Sequence, residues 1–133
     1  GQITGYPVFD LEYWNLGLKQ YIHMLEETII RFLSLYDLKG GTFGRGDGCM
    51  ARTLKYLGRA RKICAIGVKS SRFVTMHGIC FEYKYGSELL FIDQPLVGFT
   101  DKGVTSLAME LGVPQDFELA KSQLRSIFME IFA

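Results

Sequence analysis

The chain is poor in the residue types that most directly betray chemistry. It has only two histidines and three cysteines in 133 residues. Cys49, Cys64 and Cys80 are odd in number and irregularly spaced, so they form neither a zinc pattern nor a disulfide framework, which fits a reducing compartment. An excess of charge of one sign is also missing. Fifteen basic residues stand against fourteen acidic ones, and a net charge of +1 sets up no long-range field for nucleic acid or an anionic membrane. No apolar run approaches the ~20 residues that span a bilayer, and no basic stretch followed by an apolar one opens the chain. These absences leave a protein or a small molecule as the expected partner, with no nucleic acid and no membrane.

What is present is a core. With 48% hydrophobic side chains, the 133 residues suffice for a single domain, which at this size buries roughly two thirds of its unfolded surface. Tyr6 to Leu11 is short, apolar and β-prone, and reads as a strand. From Leu18 to Tyr36, apolar side chains recur every three or four residues, which predicts an amphipathic helix. Gly40 to Gly48 is too glycine-rich for regular structure and reads as a loop. Lys62–Lys69 and Arg72–Tyr83 are β-rich and are separated by Ser70-Ser71, which predicts a hairpin, with a further strand over Leu89–Ile92. A short helix ends at Gly112, and Asp116 caps a last one with Phe117, Ala120, Leu124, Ile127, Phe128 and Ile131 on one face. The expected fold class is α/β, a small mixed sheet with packed helices. Ile63, Ala65, Val74 and Met76 are expected to line the sheet.

Most candidate motifs have ordinary readings. Gly44, Gly46 and Gly48 lack the strand–turn–helix context and the Lys-Ser/Thr ending of a phosphate loop, and Arg45-Gly46-Asp47 is a common chance tripeptide. His23 sits on a helix beside Glu26 and Glu27 and reads as structural. Cys64 and Cys80 lie in apolar strands, where cysteine acts as a small inert hydrophobe. His77 is more suggestive, because Gly78 beside it allows a ligand to approach the backbone closely. Lys62, opening an otherwise apolar strand, either snorkels outward or points into a cleft.

Several segments in order resemble the octanoyltransferase family, also called lipoate–protein ligase B, whose fold is related to the biotin and lipoate ligases. Gly1-Gln2-Ile3 through Leu11 resembles the end of its His-Gly-Pro-Gly-Gln-Leu stretch, and Tyr21 to Arg31 resembles its first long helix. Lys62-Ile-Cys-Ala-Ile-Gly-Val68 with Ser71 to Gly78 resembles its catalytic hairpin, and Phe99 to Leu107 the segment after its nucleophile. The resemblance implies a biotin/lipoate ligase-like catalytic domain over residues 1–133, with an N-terminal part missing. It implies an acyltransferase that moves octanoate from octanoyl-acyl carrier protein to a lysine of a lipoyl domain through a cysteine thioester, without cofactor or metal. The implied partners are octanoyl-acyl carrier protein, the lipoyl domains of 2-oxoacid dehydrogenase complexes and the glycine cleavage H protein, in the cytoplasm or an organelle. By resemblance Lys62 lowers the cysteine's pKa, while Ala65, Ile66, Gly67, His77, Gly78 and Ile79 line the acyl pocket.

The chain departs from the family pattern where the chemistry should sit. The Pro-Cys-Gly expected before Phe99 reads Pro95-Leu-Val-Gly98, so Val97 occupies the nucleophile's slot and no thiolate can form there. This implies an inactive copy, with a non-catalytic acyl-binding or carrier-binding module as the alternative, and an ATP-dependent lipoate ligase relative behind it. The Thr-Gly-Val-Trp run before Lys62 and the Phe-Ala-Leu-Asn run after His77-Gly78 are also replaced. Back-translating Phe43–Arg52 and Ile79–Glu88 one base out of register can recover both runs, which suggests shifted frames over about residues 43–60 and 79–97. Frame-shifted segments should pack poorly, since a shifted frame destroys binary patterning.

Overall fold

The computed structural model describes residues 1–42, 48–52, 60–83, 105–113 and 115–133, with the backbone alone over 48–52 and at 60. Eight elements occur in chain order: β1 (Gln2–Gly5), α1 (Leu18–Ser34), β2 (Lys39–Thr42), β3 (Gly48–Arg52), β4 (Ala60–Ser71), β5 (Val74–Glu82), α2 (Leu107–Leu111) and α3 (Phe117–Ile131). The strands form one sheet in the order β1-β5-β4-β3-β2. The expected α/β class with helices on a small sheet is found, and the described pairings are antiparallel throughout. The two hairpins, β2–β3 and β4–β5, force that direction, and β1 runs back along β5.

Helix α1 buries the face its periodicity predicts, with Tyr21, Leu25, Ile29, Phe32 and Leu33 all inside. On the opposite face Arg31 pairs with Glu27 at 3.0 Å, an exposed i,i+4 contact worth only about 0.3–0.5 kcal/mol. Beyond the helix end the Tyr36 hydroxyl donates to Gln123 Oε1 at 2.5 Å and ties α1 to α3. On α3, Ala120 and Leu124 are buried, and Phe128 stacks on Phe132 at 4.4 Å. Asp116 caps this helix as expected, its Oδ1 accepting from the Leu119 amide at 3.1 Å. Asp116→Ala should therefore cost about 1 kcal/mol, read as a drop of a few degrees in Tm by calorimetry. Among the described residues no helix is long and apolar enough to cross a membrane.

Burial raises the phenol pKa values of Tyr21, Tyr36 and Tyr83 above the usual value, and the Thr75 hydroxyl only partly offsets this at Tyr21. Each of these phenols holds its proton more tightly folded than unfolded. Their contribution to stability is thus complete below about pH 10 and is lost as pH rises through the folded-state values. Alkaline titration followed by circular dichroism should show stability flat, as far as these groups are concerned, up to that point and falling beyond it. Tyr21→Phe should soften the fall.

Several expectations are corrected. The strand expected at Tyr6–Leu11 lies earlier, at Gln2–Gly5, and Pro7 interrupts the chain beyond it, although Asp10 still bridges Val74. The glycine loop expected over Gly40–Gly48 contains β2 and the start of β3. At Gly40 a Cβ would stand 3.0 Å from Leu33 Cδ1 and 3.3 Å from Ile30 Cγ1, so a larger residue where β2 lies against α1 would require these side chains to shift. The hairpin turns at Arg72-Phe73, not at Ser70-Ser71. Its φ values of 51° and 66° are those of a type I′ turn, whose twist matches the flanking strands.

The sheet's lining also differs from expectation. Ile63 is buried, but Val74 and Met76 are 39% and 38% exposed. The face that meets the helices carries Ile3, Cys64, Ile66, Ile79 and Phe81 instead, in register across three strands. Poor packing is not what Ile79 to Tyr83 display. Phe81 is fully buried edge-on to Phe32 at 5.1 Å, and Tyr83 meets Phe117 at 5.1 Å. Alternation of Ile79, Phe81 and Tyr83 suffices to keep one face apolar. The expected strand at Leu89–Ile92, the Val97 slot and residues 84–97 as a whole lie outside the described residues.

Candidate functional site

The hairpin of β4 and β5 brings the two groups of implied pocket residues together. Ile66 faces Ile79, Gly67 faces Gly78, and Val68 faces His77, while Ala65 faces Cys80. Side chains alternate along a strand, so the members of this group do not all point the same way. Ile66 and Ile79 turn into the core beneath the helices, each 8% exposed. They offer only backbone to the opposite, open face. Ala65 and Gly67 belong to that open face, and a Cβ built on Gly67 meets nothing within 4 Å. Gly67 leaves a gap without a side chain beside Ala65, whereas at its partner Gly78 the Gly5 carbonyl and the Pro7 ring take the place of a side chain.

Lys62 reaches this face through an irregularity in β4. Cys64 pairs with Cys49, yet Lys62 pairs with Met50, leaving Ile63 as an extra residue opposite the junction. A bulge of this kind re-aims the side chains that precede it. It shifts the alternation by one, so that Lys62 falls on the side of Ala65 and Cys80 and not on that of Cys64. In keeping with this, the Lys62 ammonium pulls down on the Cys80 thiol. The Lys62 carbonyl accepts from the Thr105 amide at 2.9 Å, which seats Thr105 beside the lysine. Thr105 and Ser106 are buried there, Thr105 Oγ1 donating to Glu110 at 2.5 Å and Ser106 capping α2.

Gly78 is where the open face is fixed to the N-terminal segment. A Cβ built on it would overlap the carbonyl oxygen of Gly5 and lie 2.7 Å from Pro7 Cδ. His77 next to it has a φ of 64°, a left-handed conformation uncommon outside glycine. Gly5, Pro7 and Thr105 therefore belong with the site, although sequence reasoning did not single them out. The proline-interrupted stretch before Leu11 was the available signal for Pro7.

The other candidates take no part. His23 Nδ1 lies 3.1 Å from Glu26 Oε2 on α1, a structural contact as read. Cys64 is buried, and burial followed by the Glu82 carboxylate pushes the Cys80 thiol pKa up more than Lys62 lowers it. Cys80 is thus a poor nucleophile. A cavity of about 370 Å³ opens elsewhere, between β1, α1 and α3, lined by Ile3, Leu25, Ile79, Leu124 and Phe128. It lies on the helix side of the sheet, away from Lys62 and Gly67, although Gly5 and Pro7 line it as well.

The chain is 74% identical over 133 residues to an octanoyltransferase of Parabacteroides distasonis, covering 100% of this chain and 59% of that protein. It is 47% identical over 132 residues to one of Porphyromonas gingivalis, covering 99% and 26%. It is 43% identical over 124 residues to one of Bacteroides fragilis, covering 93% and 55%. The chain thus spans about 59% of the length of the first of these relatives. Among solved structures, the biotin protein ligase of Aquifex aeolicus superposes with a TM-score of 0.69 at 12% identity, covering 99% of this chain and 53% of that one, which shows a shared fold. Residues 1–129 match the lipoyl protein ligase A/B catalytic domain, and the chain belongs to that family.

Proposed function

We propose that residues 1–133 form the larger part of an octanoyltransferase catalytic domain, whose open β4–β5 face holds the octanoyl chain. The observation that carries this reading is the register of Gly67 with Gly78 beside a bulge-directed Lys62. An extended acyl chain needs a strip clear of side chains, and a thioester reaction needs a cation near the sulfur. In the reaction, a cysteine thiolate attacks the carbonyl carbon of octanoyl-acyl carrier protein and expels the carrier's thiolate, giving an acyl-enzyme. The amine of a lipoyl-domain lysine then attacks that thioester, forming the amide. The amine's proton leaves with the released sulfur. Lys62 favours the thiolate by charge, since a cation nearby lowers a thiol pKa.

Carrier protein and lipoyl domains, those of the 2-oxoacid dehydrogenases and the glycine cleavage H protein, are the corresponding partners, in the cytoplasm. Val97 stands where the nucleophile belongs, so the chain as written does not turn over. That same residue favours the second reading, an acyl-binding module. The test is intact mass after incubation with octanoyl-acyl carrier protein and an apo lipoyl domain. The unaltered chain should gain nothing, and Val97→Cys should gain one octanoyl group and pass it on. Transfer by the unaltered chain would show the nucleophile to be elsewhere, and acyl binding without transfer by either form would favour the binding module.

A further inference from the structure

Independently of the open β4–β5 face, we infer that the cavity between β1, α1 and α3 is a second binding site, for a single-chain amphipathic anion: a medium-chain fatty acid held by its carboxylate. Its volume of about 370 Å³ falls within the range of roughly 300–1,000 Å³ of small-molecule sites. Its floor is apolar. Ile3, Leu25, Ile79 and Leu124 line it and are buried, with Phe128 partly buried beside them. Thr28 lines it too, but its hydroxyl donates to the Met24 carbonyl at 2.8 Å, so that proton is already used within α1. A hydrocarbon tail suits such a floor, and a polar group does not.

Charge enters from α3 alone. Lys121 and Arg125 both line the cavity and are exposed, and no acidic residue is among its described lining residues. They stand one turn apart on the same helix, where like charges repel. Among the described residues neither makes an ion pair or a side-chain hydrogen bond that would offset this. An anionic head between them would. The planar guanidinium of Arg125 matches a carboxylate with two parallel hydrogen bonds, and Lys121 adds a point charge.

Size decides against a protein segment as occupant. A stable protein interface covers about 800 Å² on each partner, far more than a hollow of this volume offers. The head group also separates this cavity from the open face. A neutral acyl thioester lacks the anion that Lys121 and Arg125 select, whereas a free fatty acid carries it.

Calorimetry on the unaltered chain with octanoate, hexanoate and octanol tests this, and backbone amide shifts place the site. Octanoate should bind one per chain and roughly tenfold tighter than hexanoate, since each methylene taken from water is worth about a fourfold gain. It should bind at least about tenfold tighter than octanol, which has the tail without the charge. Its shifts should centre on Leu25, Leu124 and Phe128 and leave Gly67 unmoved, and octanoyl-pantetheine should leave those three unmoved. Lys121→Gln combined with Arg125→Gln should reduce octanoate binding to the level of octanol while Tm holds, because both side chains are exposed. Octanol binding as tightly as octanoate overturns the inference, as does a double variant that still prefers the acid. So do failure of octanoate to bind and shifts centred on the open face. Self-association of the chain that octanoate does not reverse would put a second copy over the cavity and overturn it equally.

Discussion

Gly78→Ala is expected to remove about 3 kcal/mol of stability, lowering Tm by roughly 10 °C, whereas Gly67→Ala on the facing strand should shift it by no more than roughly 2 °C. The two glycines are partners in one register and differ only in what surrounds them. At Gly78 a methyl would meet the Gly5 carbonyl and the Pro7 ring, and neither can rotate away as the end of a flexible side chain could. Either β1 detaches from β5 or the strand distorts, and both lose the contacts of Ile3 with Phe81. At Gly67 the space is open. There the methyl should instead obstruct the acyl strip, so that stability is kept and binding of an octanoyl probe falls. Thermal denaturation and calorimetry on the two variants would separate fold from site. Equal destabilisation by both would contradict the geometry of the strip.

In a Val97→Cys background, Lys62→Ala should slow formation of the octanoyl thioester at least tenfold at neutral pH. It should also move the alkaline rise of the rate to higher pH. A nearby ammonium lowers a thiol pKa by favouring the charged form, so its removal returns the introduced thiol toward its ordinary value. Part of the gain in thiolate is offset by lower intrinsic nucleophilicity, which is why the effect on rate is smaller than the effect on ionisation. Lys62→Arg should recover the pH profile more fully than the rate, because the charge is kept and its position is not. Cys80 cannot substitute as nucleophile, its thiol pushed up by burial and by Glu82. Stopped-time intact mass at several pH values reads both effects. An unchanged profile would remove Lys62 from the site.

The helices are legible in the sequence because their information is local. The 3.6-residue period of Leu25, Ile29, Phe32 and Leu33, and the caps Asp116 and Gly112, are written within a few residues of where they act. The hairpin is legible for the same reason, though its turn is not, since nothing in Arg72-Phe73 advertises the positive φ that only strand twist demands. Features that depend on distant register cannot be read in this way. Gly40 looks like a loop residue until α1 lies against it, and Pro7 looks like a strand start until its ring lies against Gly78. The site residues emerge from family resemblance, but the bulge that turns Lys62 to their face exists only in the pairing of β3 with β4.

The central claim is that the acyl chain lies on the open face of β4 and β5 and not on the helix side. It is tested most directly by titrating the labelled chain with octanoyl-pantetheine and monitoring backbone amide shifts. The account predicts changes centred on Ala65, Gly67 and Gly78, with Leu25, Leu124 and Phe128 unmoved. Changes centred on those last three, which line the cavity between β1, α1 and α3, would contradict it.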